Sequence, residues 1–337
     1  MRVIELNTGG GESRIFIGES IKNISKYIPE NTIVITDKNV DKLYGKYFEK
    51  YPVIEIEQGE SSKSFRTIEK ICKELIKFNA DRSTFLLGVG GGVVTDITGF
   101  VASIFKRDLR FGYVSTTLLG QVDASIGGKN GINFEGFKNV IGTLRQPEFI
   151  ISDFTTLNTL PKREIINGMA ELIKTSLIAD KQLFNLIEEK YFQVLNLDDE
   201  ILEDLIFTSA KIKINIVQKD EKENGVRRTL NFGHTLGHAI ESTTDLSHGK
   251  AIGIGMLKAL QISVDKVNLK NHIVSKVETL LKNCGLPISV KYDIAKVEKA
   301  IIADKKKYND KIKFVLLEDI GKPVIKDIPL KELKEYL

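Results

Sequence analysis

The stretch STFLLGVGGGVVTDITGF, residues 83–100, decides the fold class of this chain. A short apolar segment runs directly into Gly88, Gly90, Gly91 and Gly92, and apolar residues at helical spacing follow. A strand that ends in glycines and opens a helix leaves bare N–H groups at the positive end of the helix dipole, where a phosphate binds well. The spacing is not the usual G-x-G-x-x-G motif, because Val93 stands at the third glycine position. A tight turn without a ligand is the alternative interpretation.

The segments on either side repeat the order of strand then helix. TIVIT (32–36) and VIEIE (53–57) are typical of short strands, while RTIEKICKELIKF (66–78) repeats its apolar positions with helical period. Residues 1–18 predict two short strands around a Gly-rich turn. Strands that alternate with helices indicate a parallel sheet covered on both faces. We therefore predict an α/β, Rossmann-like N-terminal domain over residues 1–153.

From residue 153 onward the strand signal fades. Residues 163–178, 181–192 and 201–217 carry helical patterns, and no repeat, low-complexity tract or long linker is visible. We expect a mostly α-helical C-terminal domain over residues 154–337, with no linker to mark its boundary. A chain of 337 residues is long for a single hydrophobic core, which agrees with two domains.

The composition argues against several classes of protein. Lys plus Arg number 49 against 45 Asp plus Glu, which gives a net charge of +4. An excess so small and dispersed does not indicate nucleic-acid binding. Cys72 and Cys284 lie in apolar, helix-like contexts, and we expect free thiols in a reducing compartment. No signal peptide and no run of about 18 apolar residues is visible, so we expect a cytoplasmic protein without a membrane partner.

Three of the four histidines fall within fifteen residues. His234 and His238 are four apart, so they share one face of a predicted helix, and His248 follows in a predicted loop. Imidazoles with a carboxylate suit zinc with an open coordination position. Glu241 is near in sequence, whereas Glu171 lies mid-helix among apolar neighbours, where a buried carboxylate needs a partner. Solvated histidines and a lone Glu171 are the alternative without a metal.

Single lysines beside glycines are further candidates for ligand contacts. Lys129 and Lys138 each precede an asparagine, Asn130 and Asn139. Glycine lets the backbone approach a ligand, and lysine offers its charge to a phosphate or carboxylate, although exposed turn lysines are common. Asp37 follows the TIVIT strand, where an acidic side chain can meet a ribose hydroxyl. An aspartate at such a position is more often only a helix cap.

Successive segments of the chain resemble the signature segments of the 3-dehydroquinate synthase family of sugar phosphate cyclases. They are GESSKS (59–64), GGGVVTDITGF (90–100), STTLLGQVDASIGGKNGIN (115–133), GFKNVIG (136–142), GMAELIKTSLI (168–178) and DEKENGVRRTLNFGHTLGHAIE (220–241). The segments follow the family's order over residues 30–320. The resemblance implies a Rossmann-like N-terminal domain and a helical C-terminal domain, with the active site in the cleft between them.

The same resemblance implies an activity and its cofactors. The family's reaction converts 3-deoxy-D-arabino-heptulosonate 7-phosphate to 3-dehydroquinate and phosphate, a lyase step of the shikimate pathway toward chorismate and aromatic amino acids. NAD⁺ would take a hydride and return it, and Zn²⁺ or Co²⁺ would act as a Lewis acid. Arg107 matches a family arginine that reaches the neighbouring subunit's phosphate pocket, which implies a homodimer.

Residue roles carry over from the family by position. The metal ligands would be Glu171, His234 and His248, whereas His238 would face the substrate. Residues expected to contact NAD⁺ are Asp37, Gly59, Glu60, Lys63, Gly91, Gly92, Val93, Asp96, Thr116, Thr117, Lys129, Lys138, Thr156, Leu157 and Thr159. Residues expected to contact the substrate are Arg107, Asp123, Lys129, Lys138, Asn139, Lys174, Lys213, Arg227, Asn231, His238, His248 and Lys306, with Lys305 as the alternative to the last. The expected catalytic residues are Asp123, Lys129, Lys174, Lys213, Arg227, Asn231 and His238.

Two departures from the family pattern and three rival functions stay open. Ser115 stands where the family usually has proline, and Lys250 stands where it usually has glutamate, two residues after His248. One rival is a related cyclase such as 2-deoxy-scyllo-inosose synthase, against which Lys213 and Arg227 favour a substrate that carries a carboxylate. The others are a metal-dependent polyol dehydrogenase, which would release NADH, and a non-catalytic ligand-binding relative.

Overall fold

The computed structural model describes residues 1–304 and 311–337, so Lys305 and Lys306 lie outside the described residues. The chain forms two compact units, Met1–Leu160 and Pro161–Leu337. The first unit is an α/β structure built on a parallel sheet, and the second is mainly helical. This architecture confirms the predicted fold class.

The strands of the first unit form one large sheet and one separate hairpin. They are β1 (Arg2–Thr8), β2 (Gly11–Ile17), β3 (Thr32–Asp37), β4 (Val53–Ile56), β5 (Phe85–Gly90), β6 (Arg110–Ser115), β7 (Lys129–Phe134), β8 (Phe137–Leu144) and β9 (Phe149–Ser152). The large sheet has the order β1-β2-β9-β6-β5-β3-β4. Strand β1 pairs with β2 in antiparallel fashion, as predicted, and the remaining pairs in the sheet are parallel. Strands β7 and β8 make the antiparallel hairpin.

Three α-helices accompany this sheet, α1 (Lys38–Tyr44), α2 (Phe65–Lys77) and α3 (Gly92–Ile104). The predicted glycine turn is the place where β5 passes into α3. A Cβ on Gly88 would lie 2.7 Å from Thr98 Oγ1, and one on Gly90 would lie 2.5 Å from Val94 Cγ2. Glycine at these positions therefore lets α3 approach β5 closely, and the N-terminus of the helix comes to lie beside the end of a fully buried strand.

The second unit contains eight α-helices, two short 3₁₀-helices and two strands among its described residues. The helices are α4 (Lys162–Ala179), α5 (Lys181–Leu195), α6 (Asp199–Lys219), α7 (His234–Thr243), α8 (His248–Val267), α9 (Asn271–Asn283), α10 (Ile294–Asp304) and α11 (Leu330–Leu333). Aspartates cap two of them, because Asp180 accepts hydrogen bonds at the start of α5 and Asp198 does so at the start of α6. Among the described residues, no helix combines the length and apolar character of a bilayer span.

The two strands of this unit, β10 (Lys311–Asp319) and β11 (Lys322–Pro329), form an antiparallel hairpin that the sequence analysis missed. The side chains of Ile312, Phe314 and Leu316 are buried in the same core cluster as residues of α7 and α8. The Leu317 N–H also donates a 3.0 Å hydrogen bond to Ser263 Oγ of α8. The strand signal was weak because this hairpin depends on a helix far from it in sequence.

Candidate metal and substrate site

Glu171 lies in the middle of α4 and is completely buried. Lys174, one helical turn further on, places its Nζ 2.5 Å from Glu171 Oε2. Apart from this ion pair, neither carboxylate oxygen has a hydrogen-bond partner among the described groups. Burial would raise the pKa of Glu171, but Lys174 and two neighbouring imidazoles hold it well below its usual range. The site therefore contains a buried, ionised carboxylate whose Oε2 pairs with Lys174 and whose Oε1 faces the two imidazoles, where a further cation can bind.

His234, the first residue of α7, directs one ring nitrogen at this carboxylate. Its Nε2 lies 3.5 Å from Glu171 Oε1, while its Nδ1 lies 3.1 Å from the Phe232 carbonyl oxygen. A carbonyl can only accept, so Nδ1 carries the proton and the lone pair of Nε2 faces Glu171. Burial lowers the pKa of His234 to about 3, so the ring is neutral at physiological pH.

His248, the first residue of α8, approaches the same oxygen from another helix. Its Nε2 lies 3.6 Å from Glu171 Oε1, and its Nδ1 lies 3.2 Å from Glu241 Oε2. Burial alone would lower its pKa, but the interactions with Glu171 and Glu241 prevail and raise the pKa of His248 to about 9. Without a cation at the site, this imidazole holds a proton that a metal ion can replace.

These three side chains fit a divalent metal. Their ligand atoms all lie within 4.8 Å of one another. Donors bound at about 2.1 Å in tetrahedral geometry stand about 3.4 Å apart, close to the two nitrogen–oxygen distances here. Each imidazole also bonds through Nδ1 to an outer oxygen, of Phe232 or Glu241, which is the usual way to orient a metal-binding histidine. One carboxylate and two imidazoles leave room for a substrate oxygen.

His238 lies one turn after His234 on α7 and is exposed. Its ring centroid lies 5.0 Å from that of His234 and 5.9 Å from that of His248. With Glu241 and His248 it forms a second group of possible metal ligands, whose atoms also lie within 4.8 Å of one another. Spacing alone had included His238 among the ligands, whereas the structure groups Glu171 with His234 and His248.

A loop before α7 presents Arg227 and Asn231. Asp220 organises the loop, because its carboxylate accepts hydrogen bonds from the backbone N–H groups of Asn224, Gly225 and Arg227 at 2.7–2.9 Å. Asn231 Nδ2 donates to Glu223 Oε1. The Arg227 side chain is buried, as are those of Lys174 and Lys213. The second unit thus buries three of the cations expected to bind substrate.

In the first unit, many of the expected cofactor residues follow neighbouring parallel strands. Asp37 ends β3, residues 91–93 follow β5, residues 116–117 follow β6 and residues 156–159 follow β9. The carboxyl ends of adjacent parallel strands meet at one edge of a sheet, where α/β proteins bind nucleotides. Asp37 caps α1 by accepting from two backbone N–H groups, and burial raises its pKa.

The remaining expected residues of this unit lie outside the large sheet. Gly59, Glu60 and Lys63 lie in the turn before α2, where buried Lys63 pairs with Asp96 of α3 at 2.5 Å. Lys129 begins β7, and Lys138 and Asn139 lie in β8. Arg107 lies in the turn after α3 with a φ of 71°, and Asp123 lies in a single π-helical turn, Gly120–Ala124.

Comparison with known proteins gives the family. Residues 53–167 match the model of the 3-dehydroquinate synthase N-terminal domain, and residues 168–307 match that of the C-terminal domain. The 3-dehydroquinate synthase of Dehalococcoides mccartyi (strain ATCC BAA-2266 / KCTC 15142 / 195) is 40% identical, over 96% of this chain and 95% of the relative. The enzyme of the same name from Saccharolobus solfataricus is also 40% identical, with the same coverage. The chain belongs to the 3-dehydroquinate synthase family.

Solved structures of sugar phosphate cyclases share this fold. A 2-deoxy-scyllo-inosose synthase complexed with carbaglucose-6-phosphate, NAD⁺ and Co²⁺ superimposes with a TM-score of 0.90, at 26% identity over 99% of this chain and 98% of that one. A 2-epi-5-epi-valiolone synthase from Streptomyces hygroscopicus subsp. jinggangensis 5008, with NAD⁺ and Zn²⁺ bound, gives 0.89 at 25% identity, over 100% and 98%. An iron-containing alcohol dehydrogenase gives 0.69 at 17% identity over 96% and 95%, which shows a likeness of fold alone. The prediction of an enzyme of the synthase family is confirmed.

Family motifs named the three residues that could hold a metal, but the roles of several neighbouring residues were not predicted from the sequence. Asp220 was missed, although an aspartate followed by Asn224 and Gly225 is a turn signal. Glu241 was considered as a ligand, whereas it bonds to the outer nitrogen of His248. Asn133, whose hydrogen bonds connect three segments of the first unit, lies in a family segment but was given no role.

Proposed function

We propose that the chain converts 3-deoxy-D-arabino-heptulosonate 7-phosphate to 3-dehydroquinate and phosphate, with catalytic NAD⁺ and one divalent metal ion. The observation that carries the proposal is the cluster of Glu171, His234 and His248. In that cluster, both Nε2 atoms face Oε1 of a buried carboxylate whose other oxygen pairs with Lys174. The family membership of the chain supports the choice of reaction.

The three clustered residues would hold Zn²⁺ or Co²⁺. When bound, the ion would supply Lewis-acid activation of a substrate hydroxyl, and NAD⁺ would supply a reversible hydride acceptor. The residues themselves set the coordination. Phe232 and Glu241 fix the orientation of the two imidazoles, and Lys174 keeps Glu171 ionised.

Buried cations in the second unit support an anionic substrate. Lys174, Lys213 and Arg227 are 1%, 7% and 2% exposed. A buried cation interacts strongly with an anionic ligand because little water screens the pair, and the proposed substrate carries both a phosphate and a carboxylate. These cations, with His238 and Asn231, would orient the substrate and stabilise charge as phosphate leaves.

NAD⁺ would bind at the sheet edge of the first unit. The glycine turn at the start of α3 offers backbone N–H groups to a pyrophosphate, and Asp37 lies at the end of the adjacent strand β3. We thus assign cofactor binding to the N-terminal domain, and the metal ligands and the buried substrate-binding cations to the helical domain. The expected ribose contact of Asp37 would use the oxygen that does not cap α1.

The proposal extends to the oligomeric state, the cellular compartment and the identity of the metal. We propose a homodimer, in which Arg107 would contribute to the partner's phosphate pocket, as the family resemblance implies. We also propose a cytoplasmic enzyme, supported by the free thiols Cys72 and Cys284. Zinc and cobalt both suit the donor set, and metal analysis of the purified protein distinguishes them.

The test of this function is phosphate release from 3-deoxy-D-arabino-heptulosonate 7-phosphate with NAD⁺ far below the substrate concentration. We expect many turnovers per NAD⁺ and no accumulation of NADH absorbance. Stoichiometric NADH would support the polyol dehydrogenase instead. Glucose 6-phosphate, which carbaglucose-6-phosphate imitates, tests the inosose synthase alternative, and turnover of that sugar alone would overturn the proposal.

A further inference from the structure

The hairpin β7–β8 contains an irregularity at the place where two expected ligand residues lie. Ile132 pairs with Ile141 and Phe134 pairs with Phe137, so Asn133 alone stands opposite residues 138–140. The extra residues bulge out of β8, and Asn139 adopts a left-handed conformation with a φ of 53°. Bulges of this kind redirect side chains beside functional sites. The residues redirected here are Lys138 and Asn139.

Asn133 makes three hydrogen bonds, one to the bulge and two to the turn before α2. Its Oδ1 accepts from the Asn139 N–H at 2.9 Å, which fixes the left-handed residue. Its Nδ2 donates to Glu60 Oε1 at 2.8 Å, and its own N–H donates to the Lys63 carbonyl oxygen at 2.9 Å. The side-chain amide therefore acts as acceptor toward the bulge and as donor toward the turn before α2.

Lys63 fixes the other side of the bulge. Its buried Nζ donates to Asn139 Oδ1 and lies 2.5 Å from Asp96 Oδ2 of α3. Glu60, Lys63 and Asp96 are all residues for which the family resemblance implies NAD⁺ contacts. Asn133 and Lys63 thus both connect the bulge to the segment expected to bind the cofactor. Of these two residues, Asn133 is the one to which the family motifs assign neither NAD⁺ nor the substrate.

We propose that Asn133 is a positioning residue that joins the turn containing Glu60 and Lys63 to the bulge containing Lys138 and Asn139. This inference rests on the proposed function, since it assumes that the turn contacts NAD⁺ and the bulge contacts the substrate. Asn133 acts through the backbone N–H of Asn139 and through Glu60. Its loss leaves the cofactor edge of the sheet intact but allows the bulge to move.

The first test compares Asn133→Ala with Thr143→Ala. Thr143 Oγ1 also ties the hairpin to α3, through Ser103 Oγ at 3.0 Å, but lies away from the bulge. Loss of hydrogen bonds at the bulge should raise the KM for the heptulosonate phosphate about tenfold in Asn133→Ala. The kcat and the calorimetric Kd for NAD⁺ should change less than about threefold. Thr143→Ala should leave the KM unchanged, and a KM in Asn133→Ala within twofold of the unsubstituted enzyme overturns the inference.

A charge exchange gives a second, more specific test. Asn133→Asp keeps an oxygen for the Asn139 N–H but places a second carboxylate beside Glu60, so the KM should rise as in the alanine variant. When Glu60→Gln is added to Asn133→Asp, the new side-chain amide at position 60 can donate to the new carboxylate at position 133. The hydrogen bond between the two side chains is then restored in the opposite direction. The double variant should therefore have a KM within about threefold of Glu60→Gln alone. If Asn133→Asp raises the KM equally with Glu60 and with Gln at position 60, Asn133 does not join the turn to the bulge through Glu60.

Hydrogen–deuterium exchange separates a failure of this inference from a failure of the proposed function. Exchange of amides 134–140 in the full-length protein does not require turnover. It should quicken about tenfold in Asn133→Ala and stay unchanged in Thr143→Ala. Unchanged exchange in both variants overturns the structural role of Asn133. If exchange is faster in Asn133→Ala but the unsubstituted protein releases no phosphate, the structural role of Asn133 is supported and the proposed reaction is rejected.

Discussion

Glu171 is a buried carboxylate between two imidazoles and one ammonium group. Burial of a charge in apolar surroundings is tolerated only with compensation, and here Lys174 supplies part of it. Outer oxygens take both Nδ1 positions, so each imidazole turns Nε2 toward Glu171. His234 offers a lone pair there, and His248 offers one after it loses the proton that its raised pKa retains. The chemistry of each side chain in the cluster is therefore set by a neighbour outside the expected metal ligands: Lys174 for Glu171, Phe232 for His234 and Glu241 for His248.

Glu241 is the neighbour whose removal tests this arrangement. In Glu241→Gln, the acceptor for His248 Nδ1 loses its charge, so the metal should bind about ten- to a hundredfold more weakly. Competition with a chromophoric chelator measures the dissociation constant. Glu278→Gln is the control, because Glu278 pairs with Lys282 on the surface of α9. Equal metal affinity in Glu241→Gln and the unsubstituted protein would contradict the role of this carboxylate.

Metal affinity should depend on pH through His248. The pKa of about 9 means that this ring is protonated in the metal-free protein at pH 7, whereas His234, with a pKa of about 3, is already neutral. A metal needs the neutral ring, so binding releases one proton and should tighten about tenfold per unit between pH 6 and 8. Metal titrations at three pH values measure this slope. A metal affinity that does not change with pH would show that metal binding displaces no proton from His248.

At the scale of elements, α8 reaches the cluster because its first turn packs against α4. A Cβ on Gly249 would lie 2.5 Å from the Asn167 carbonyl oxygen and 2.6 Å from Asn167 Cα. Ser247, the residue before α8, donates from Oγ to Asn167 Oδ1 at 2.7 Å. The glycine thus brings the backbones of two helices together and places His248 next to Glu171.

Gly249→Ala should separate α8 from α4. We expect a loss of about 3 kcal/mol in the free energy of unfolding, because backbone atoms must shift, together with weaker metal binding. Gly253→Ala in the same helix is the control, since the nearest atom to its Cβ would lie at 3.7 Å. Removing that glycine should stabilise the helix by about 0.5–1 kcal/mol. Chemical denaturation measures the free energy of unfolding of both variants. Similar values for Gly249→Ala and Gly253→Ala would refute the packing argument.

Lys250 lies in the first turn of α8, two residues after His248, where the helix dipole disfavours a positive charge. Lys250→Glu should raise the free energy of unfolding by about 0.5 kcal/mol. It should also tighten metal binding by up to about tenfold, with little change in turnover at saturating metal. Lys250→Gln, which only removes the charge, should give about half of each effect. Equal metal dissociation constants for all three proteins at low salt would show that Lys250 has no influence on the ion.

On the scale of the whole molecule, the cluster ties together helices that are distant in sequence. Glu171 lies 77 residues before His248, so the ligand set exists only in the folded second unit. A metal that binds only the folded state should raise the free energy of unfolding by about 4 kcal/mol when its concentration is a thousandfold above its Kd. A chelator should therefore lower the melting temperature by about 5 °C or more, and added zinc should restore it.

His248→Ala is the control for metal removal. Its melting temperature should be insensitive to the chelator, because the ligand set is incomplete, while its circular dichroism should keep the helical signal. The same response to the chelator in His248→Ala and in the unsubstituted protein would mean that the ion binds elsewhere. Added NAD⁺ should still raise the melting temperature of the variant, since its expected contacts belong to the first unit.

The sequence by itself determined the local elements of this protein. Strand-then-helix alternation up to residue 104, the glycine turn at β5 and the helical periods after residue 160 all come from patterns within about twenty residues. The same patterns, with the family motifs, named Glu171, His234 and His248, which the structure brings together. These features were predictable because backbone preference and burial on one face are encoded in neighbouring residues.

Tertiary structure alone decided how these elements serve the site. Spacing could not separate His238 from His248 as a partner of Glu171, because that choice depends on the approach of α8 to α4 at Gly249. The hairpin β10–β11 and the bonds of Asn133 depend likewise on contacts between distant segments. Such contacts arise from packing and hydrogen-bond satisfaction in three dimensions, and a linear pattern carries no record of which distant group will supply the partner.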